Sequence, residues 1–172
     1  SRVSGNEKLF RMNADGTNLR QLTTPVDLGD LHLSSFDYSL DGQRIFYTRA
    51  STEAEANATP WPGDRCCRLW LMNADGSDAH EFASVGAKAW DGIPQLSPDG
   101  RQVAFWHGTD HGHITVMNAD GSGSARDLGP VFNGNVAFAW SPDATTLWMV
   151  TFDGEDQPGQ YLLDPRDGTW AK

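Results

Sequence analysis

Cysteine is almost absent: the chain has two among 172 residues, and Cys66 and Cys67 are adjacent. Neighbouring cysteines cannot staple distant segments, so a disulfide framework is excluded. A strained vicinal disulfide or a soft metal pair stays open, but two thiols without nearby histidines fall short of a zinc set. Two free thiols beside a strand is the preferred reading. Basic residues are also scarce, with 13 Lys and Arg against 23 Asp and Glu for a net charge of −10. That balance argues against nucleic acid as a partner, since phosphate-tracking proteins display basic patches. No apolar run approaches the roughly 20 residues that span a bilayer, and the opening SRVSGNEKLF lacks the apolar core of a signal peptide. A signal removed earlier would leave no trace. G-x-S-x-G, H-E-x-x-H and P-loop signatures are all missing, so no catalytic centre and no cofactor is expected.

Glycine and proline are plentiful, with 18 and 9 copies. They are spread along the chain, which favours many short strands joined by tight turns. Met-Asn-Ala-Asp-Gly occurs three times, at 12–16, 72–76 and 117–121, with a degenerate fourth copy in LDPRDG at 163–168. A second motif interleaves with it: SLDG at 39–42, SPDG at 97–100 and SPDA at 141–144. Two turn motifs per unit of roughly 45 residues mean two hairpins and four strands per unit.

The flanking residues fit four strand types. Strand A precedes S-x-D and alternates in strand period (Phe36 and Tyr38, Phe138 and Trp140). Strand B follows as a near-continuous apolar run, RIFYT, QVAFW and TLWMV, suited to burial on both faces. Strand C carries LFRMN, LWLMN, ITVMN and YLLD. Strand D is more polar, as an outer edge should be. The order along the chain is C, D and then A, B, C, D three times. This is an all-β β-propeller of four-stranded antiparallel blades, about three and a half of them: a half blade over 6–23 and blades over 35–84, 92–129 and 135–172, forming one propeller segment. Both ends look cut, so the chain is expected to be part of a larger ring, completed by missing blades or a second chain.

SPDGRQVAFW followed by ITVMNADGSGSARDL resembles the WD40-like Pro-Asp repeat of TolB-like propellers. The resemblance covers nearly the whole chain. It departs in three places: Leu40 replaces proline, Ala144 replaces glycine, and a long insert splits the first complete blade. It implies a bacterial periplasmic or other extracytoplasmic scaffold whose channel mouth receives a peptide or protein segment. Similar repeats gate the active sites of serine peptidases, which is the main alternative; a metal-dependent lyase is a weaker third. Fold alone decides none of these.

Both motifs read as turns. Serine, proline, aspartate and glycine suit successive positions of a type I turn closed by a left-handed residue. Asparagine is expected to cap the second turn with its side-chain oxygen. A calcium loop is excluded, because glycine falls at position 4 rather than 6 and no glutamate follows at 12. If Ala144 takes the glycine place, it should adopt a left-handed conformation.

These turns occupy one face of the disc, so function is sought on the other. There lie the connections 51–66, 107–112 and 153–159, and loops of unusual length are commonly binding elements. The candidate binding residues are Trp61 in the long insert, Trp90, and His32, Asp91 and Asn135, which precede the motif serines and are expected at the channel mouth. Asp91 could instead bond the neighbouring blade's backbone. His107, His111 and His113 are the most metal-like group, though no metal is expected; an exposed polar loop is preferred. Trp70, Trp106, Trp140 and Trp148 fall in strands and are read as packing.

Overall fold

A computed structural model describes residues 8–23, 33–50, 67–83, 90–108, 111–133, 136–152 and 159–172. They form strands only: β1 Phe10–Arg11, β2 Arg20–Gln21, β3 Leu33–Tyr38, β4 Arg44–Ala50, β5 Cys67–Asn73, β6 His80–Ala83, β7 Trp90–Leu96, β8 Gln102–Gly108, β9 His111–Asn118, β10 Arg126–Asn133, β11 Val136–Trp140, β12 Leu147–Thr151, β13 Gly159–Leu163 and β14 Trp170–Ala171. Three antiparallel meanders, β3–β6, β7–β10 and β11–β14, follow the two-stranded sheet β1–β2. The architecture is the propeller of three and a half blades that the repeats imply.

Each motif closes a hairpin by its own chemistry. In the S-x-D turns the amides of Gly42, Gly100 and Ala144 donate to the carbonyls of Ser39, Ser97 and Ser141 at 2.8–2.9 Å. The aspartate two residues after each serine accepts the serine hydroxyl at 2.6 Å. Its Oδ1 also accepts a backbone N–H two residues further on. In the second motif the roles of the side chains differ from the expectation. The aspartate Oδ1 takes the N–H two residues on, while the asparagine amide donates at 3.0 Å to the hydroxyl of Thr17, Ser77 or Ser122. A carboxylate only accepts, so it claims the N–H and leaves the asparagine a donor's task. Left-handed geometry falls on Asn18 and Asp78 as well as on the motif glycines, and asparagine and aspartate tolerate it.

Strand B is buried on both faces: Val103, Ala104, Phe105 and Trp106 are all buried, as are Ile45, Phe46 and Tyr47. Alternation sends odd and even positions to opposite blades. Ile45, Tyr47 and Met72 pack on Leu9 and Leu22 of the half blade. Phe46, Leu69 and Leu71 meet Val103, Phe105 and Met117. Ala104, Trp106 and Ile114 meet Leu147, Met149 and Leu163. We call the side turned to the preceding blade the front and the opposite side the back. The rule also explains two departures. Met12 is 62% exposed where Met72 is 1%, because no described blade lies in front of β1. Trp148, read from sequence as packing, is 57% exposed because no described blade lies behind β12.

The second turn is also a docking element. A Cβ on Gly76 would overlap the carbonyl oxygen of Leu22 in the preceding half blade, whereas one on Gly16 meets nothing within 4 Å. Both have positive φ, 86° and 81°. Ala in place of Gly16 should therefore cost only the left-handed penalty, about 1–2 kcal/mol. Gly76→Ala should cost clearly more in the same urea titration; equal losses would show that the close approach carries no energy.

Ala144 has φ of 58°, as its place in the motif requires. Ala144→Gly should raise unfolding stability by about 1 kcal/mol, read as a higher urea midpoint at unchanged slope. The turn carboxylates add a pH dependence. Asp143 is lowered to about 2 by the hydroxyls of Ser141 and Thr145 and the N–H of Thr145, and Asp164 to about 2 by Arg166. Folded values below the unfolded ones contribute stability that is present above pH ~4 and is lost as pH falls toward 2. A thermal midpoint that is flat from pH 4 to 2 would contradict this.

Candidate functional site

The loop-face ends of β7, β8 and β9 bring three polar residues into one row. Asp91 pairs with His107 across β7 and β8, and His107 pairs with His113 across β8 and β9. Directly opposed residues in antiparallel strands share a face. This is the front face, because His107 follows Val103 and Phe105 in strand period and lies edge-on to Phe105 with ring centroids 6.4 Å apart. His107 and His113 are thus directly opposed across β8 and β9. His111 pairs with Asn133 in β10 and is exposed. Among the described residues no group of three histidine, cysteine, aspartate or glutamate side chains could hold a metal ion.

Asp91 is fully buried. Its Oδ1 is 2.8 Å from His107 Nδ1, which fixes the ring so that Nε2 is turned away from the carboxylate. The register of β7 thus places Asp91 on the same blade face as His107 and His113. Bonds to the neighbouring blade come from other residues. Asp37 Oδ2 accepts the Leu96 N–H at 2.9 Å, Ser35 Oγ accepts the Ile93 N–H at 2.9 Å, and Trp140 Nε1 donates to the Gln95 carbonyl at 3.1 Å. Asp91 Oδ2 and His113 Nδ1 are buried without a hydrogen-bond partner among the described residues.

Beside this row the inner strand is strained. The register of β7 on β8 shifts between Gly92 and Gln95. Within that bulge Ile93 has φ of 53°, a conformation disfavoured for a β-branched side chain and disfavoured again before proline. Such outliers persist where the surroundings over-determine them, often at functional positions. Nothing in the sequence marked Ile93 except the Gly-x-Pro context that can hold a bulge.

Of the other candidates, His32, Trp61 and Asn135 lie outside the described residues, as does Cys66. Trp90 opens β7 opposite Gly108, and Cys67 opens β5 opposite Ala50; the side chains of both lie outside the described ones. Trp70 stacks under the Arg49 guanidinium, 4.1 Å from the ring centroid, in a packing role.

Comparison with known proteins agrees with this architecture. No family model matches the chain. It is 26% identical over 137 residues to dipeptidyl-peptidase 5 of Porphyromonas gingivalis, covering 69% of this chain and 19% of that protein. Among solved structures, TolB from Acinetobacter baumannii superposes with a TM-score of 0.69 at 16% identity, over 95% of this chain and 36% of that one. Puromycin hydrolase superposes with a TM-score of 0.68 at 20% identity, over 97% of this chain and 27% of that one. The chain thus has a TolB-like propeller fold, and it spans little more than a third of each of these proteins or less.

Asp91→Ala should leave the partly buried His107 ring without its partner and destabilise the chain by about 1–3 kcal/mol. Equilibrium unfolding in urea measures it, and a change below 0.5 kcal/mol, the ordinary range for surface substitutions, would show that the pair is not a structural anchor.

Proposed function

We propose that the chain is a non-catalytic propeller scaffold that binds a protein or peptide segment on its loop face, in an extracytoplasmic compartment of a bacterium. The observation that carries this reading is the asymmetry between the two faces. One face repeats the same two turns from blade to blade. On the other, the connections between strands B and C differ in span, covering residues 51–66, 109–110 and 152–158. A frame that holds one face constant while the other varies is the arrangement expected of a binding scaffold. His32, Trp61, Trp90 and Asn135 are the proposed contact residues. Asp91 serves indirectly by holding His107. The likeness to TolB supports this reading, and no helix among the described residues is long and apolar enough to cross a membrane.

The likeness to dipeptidyl-peptidase 5 and puromycin hydrolase favours a second reading, a substrate-selecting propeller of a larger hydrolase. In that case the same loop face would border a separate catalytic domain. An α/β-hydrolase pattern in the contiguous coding sequence would decide for this second reading.

An array of short peptides of varied charge and hydrophobicity tests the first. The chain should retain a subset of them, and Trp61→Ala should weaken retention about tenfold without lowering the melting temperature, as expected for an aromatic anchor. No retained peptide, or retention unaffected by any loop-face substitution, would count against the scaffold.

A further inference from the structure

We propose that the turn face carries a binding site for the phosphate group of a small soluble ligand, in the cleft between the half blade and the first complete blade. The cleft measures about 220 Å³, with Arg11, Asn18, Arg20 and Leu22 on one wall and Asp75 on the other. It belongs to the repeat. A second cleft of about 220 Å³ separates the complete blades β3–β6 and β7–β10, with Leu71, Asp78, His80 and Phe82 in the equivalent places and Asp120 across from them. Strand register shows the equivalence: Arg11 opposes Arg20 as Leu71 opposes His80. Asn18 and Asp78 share a φ of 56°.

What differs between the two clefts is charge. Like charges directly opposed across a strand pair repel, and the first cleft sets two arginines so, against the single carboxylate of Asp75. Arg11 is held in place, because its guanidinium donates to the Ala74 carbonyl at 3.1 Å. Arg20 makes no hydrogen bond or ion pair among the described residues. Asp75 is held below the usual carboxylate range first by the hydroxyl and N–H of Ser77 and then by the charge of Arg20. Its Oδ1 is engaged inside its own turn, so one guanidinium charge stays uncompensated. The second cleft has the opposite balance, with Arg44 against Asp78 and Asp120. At the third interface Arg126 donates to the Arg166 carbonyl and Arg166 pairs with Asp164, so both guanidiniums are engaged. Guanidinium forks match the oxygens of phosphate. A phosphate has enough oxygens to serve two forks at once, whereas a single carboxylate is taken up by one. The Asn18 amide adds donors at the rim, and buried Leu22 sets an apolar floor. This cleft lies on the face opposite the variable loops, so it acts independently of what those loops bind.

Inorganic phosphate probes the site on the intact, isotopically labelled chain, at fixed pH and at an ionic strength held constant with sodium chloride. The Nε–Hε resonances of Arg11 and Arg20 should shift along a saturating curve while Asp78 and His80 in the second cleft stay still. Acetate should bind at least about tenfold more weakly. Arg20→Gln, a change at an exposed side chain, should weaken phosphate binding about tenfold or more at an unchanged melting temperature, and Asp75→Asn should tighten it about threefold. Shifts that never saturate or that appear equally in both clefts would overturn the proposal. So would acetate binding as well as phosphate, affinity left within about twofold by Arg20→Gln, or no tightening in Asp75→Asn.

Discussion

Everything in this molecule depends on the burial of sheet faces between successive blades. A strand B such as Val103 to Trp106 is apolar at every position, so its sheet has no side to turn to water. Odd positions bury against the blade before and even positions against the blade after. No blade is stable by itself, and the hydrogen-bonded ladders become worth forming only when a neighbour covers them. At roughly 25 cal/mol per Å² of apolar surface removed from water, these contacts outweigh the turn hydrogen bonds one by one. The turns therefore set geometry more than energy.

That division of labour explains why Met-Asn-Ala-Asp-Gly recurs. The methionine packs forward, the aspartate and asparagine close the hairpin from within, and the glycine lets the turn approach the preceding strand D. Gly76 shows both the backbone constraint and the close approach, and Gly16 shows the backbone constraint alone because no described atom comes within 4 Å of where its Cβ would lie. One face of the disc is thereby fixed. The opposite face is free to vary in length and composition, and the row Asp91, His107, His113 with strained Ile93 sits at its edge.

The strands, their order and their two-sided burial were legible in the sequence because turn chemistry is local and its residues are few. The left-handed place of Ala144 could be read from its position alone. What could not be read depends on register across strands. His107 and His113 were in view, but whether they meet depends on the connection at 109–110, and the structure opposes them directly. Asp91 was expected at the channel mouth; its pairing with His107 on a blade face depends on the register shift beside Ile93, which the sequence does not show. Trp148 shows the limit of a strand pattern: alternation says which side it faces, and only the neighbouring sheet says whether that side is covered. The loop-face candidates His32, Trp61 and Asn135 fall outside the described residues, so their part in the site rests on sequence.

Native-state hydrogen exchange tests the dependence of blade on blade most directly. If each sheet is held by its neighbours, the buried amides of β4, β8 and β12 should open with one shared free energy and the same denaturant dependence. Three separate opening free energies, one for each complete blade, would show that the sheets are stable on their own and would contradict the account.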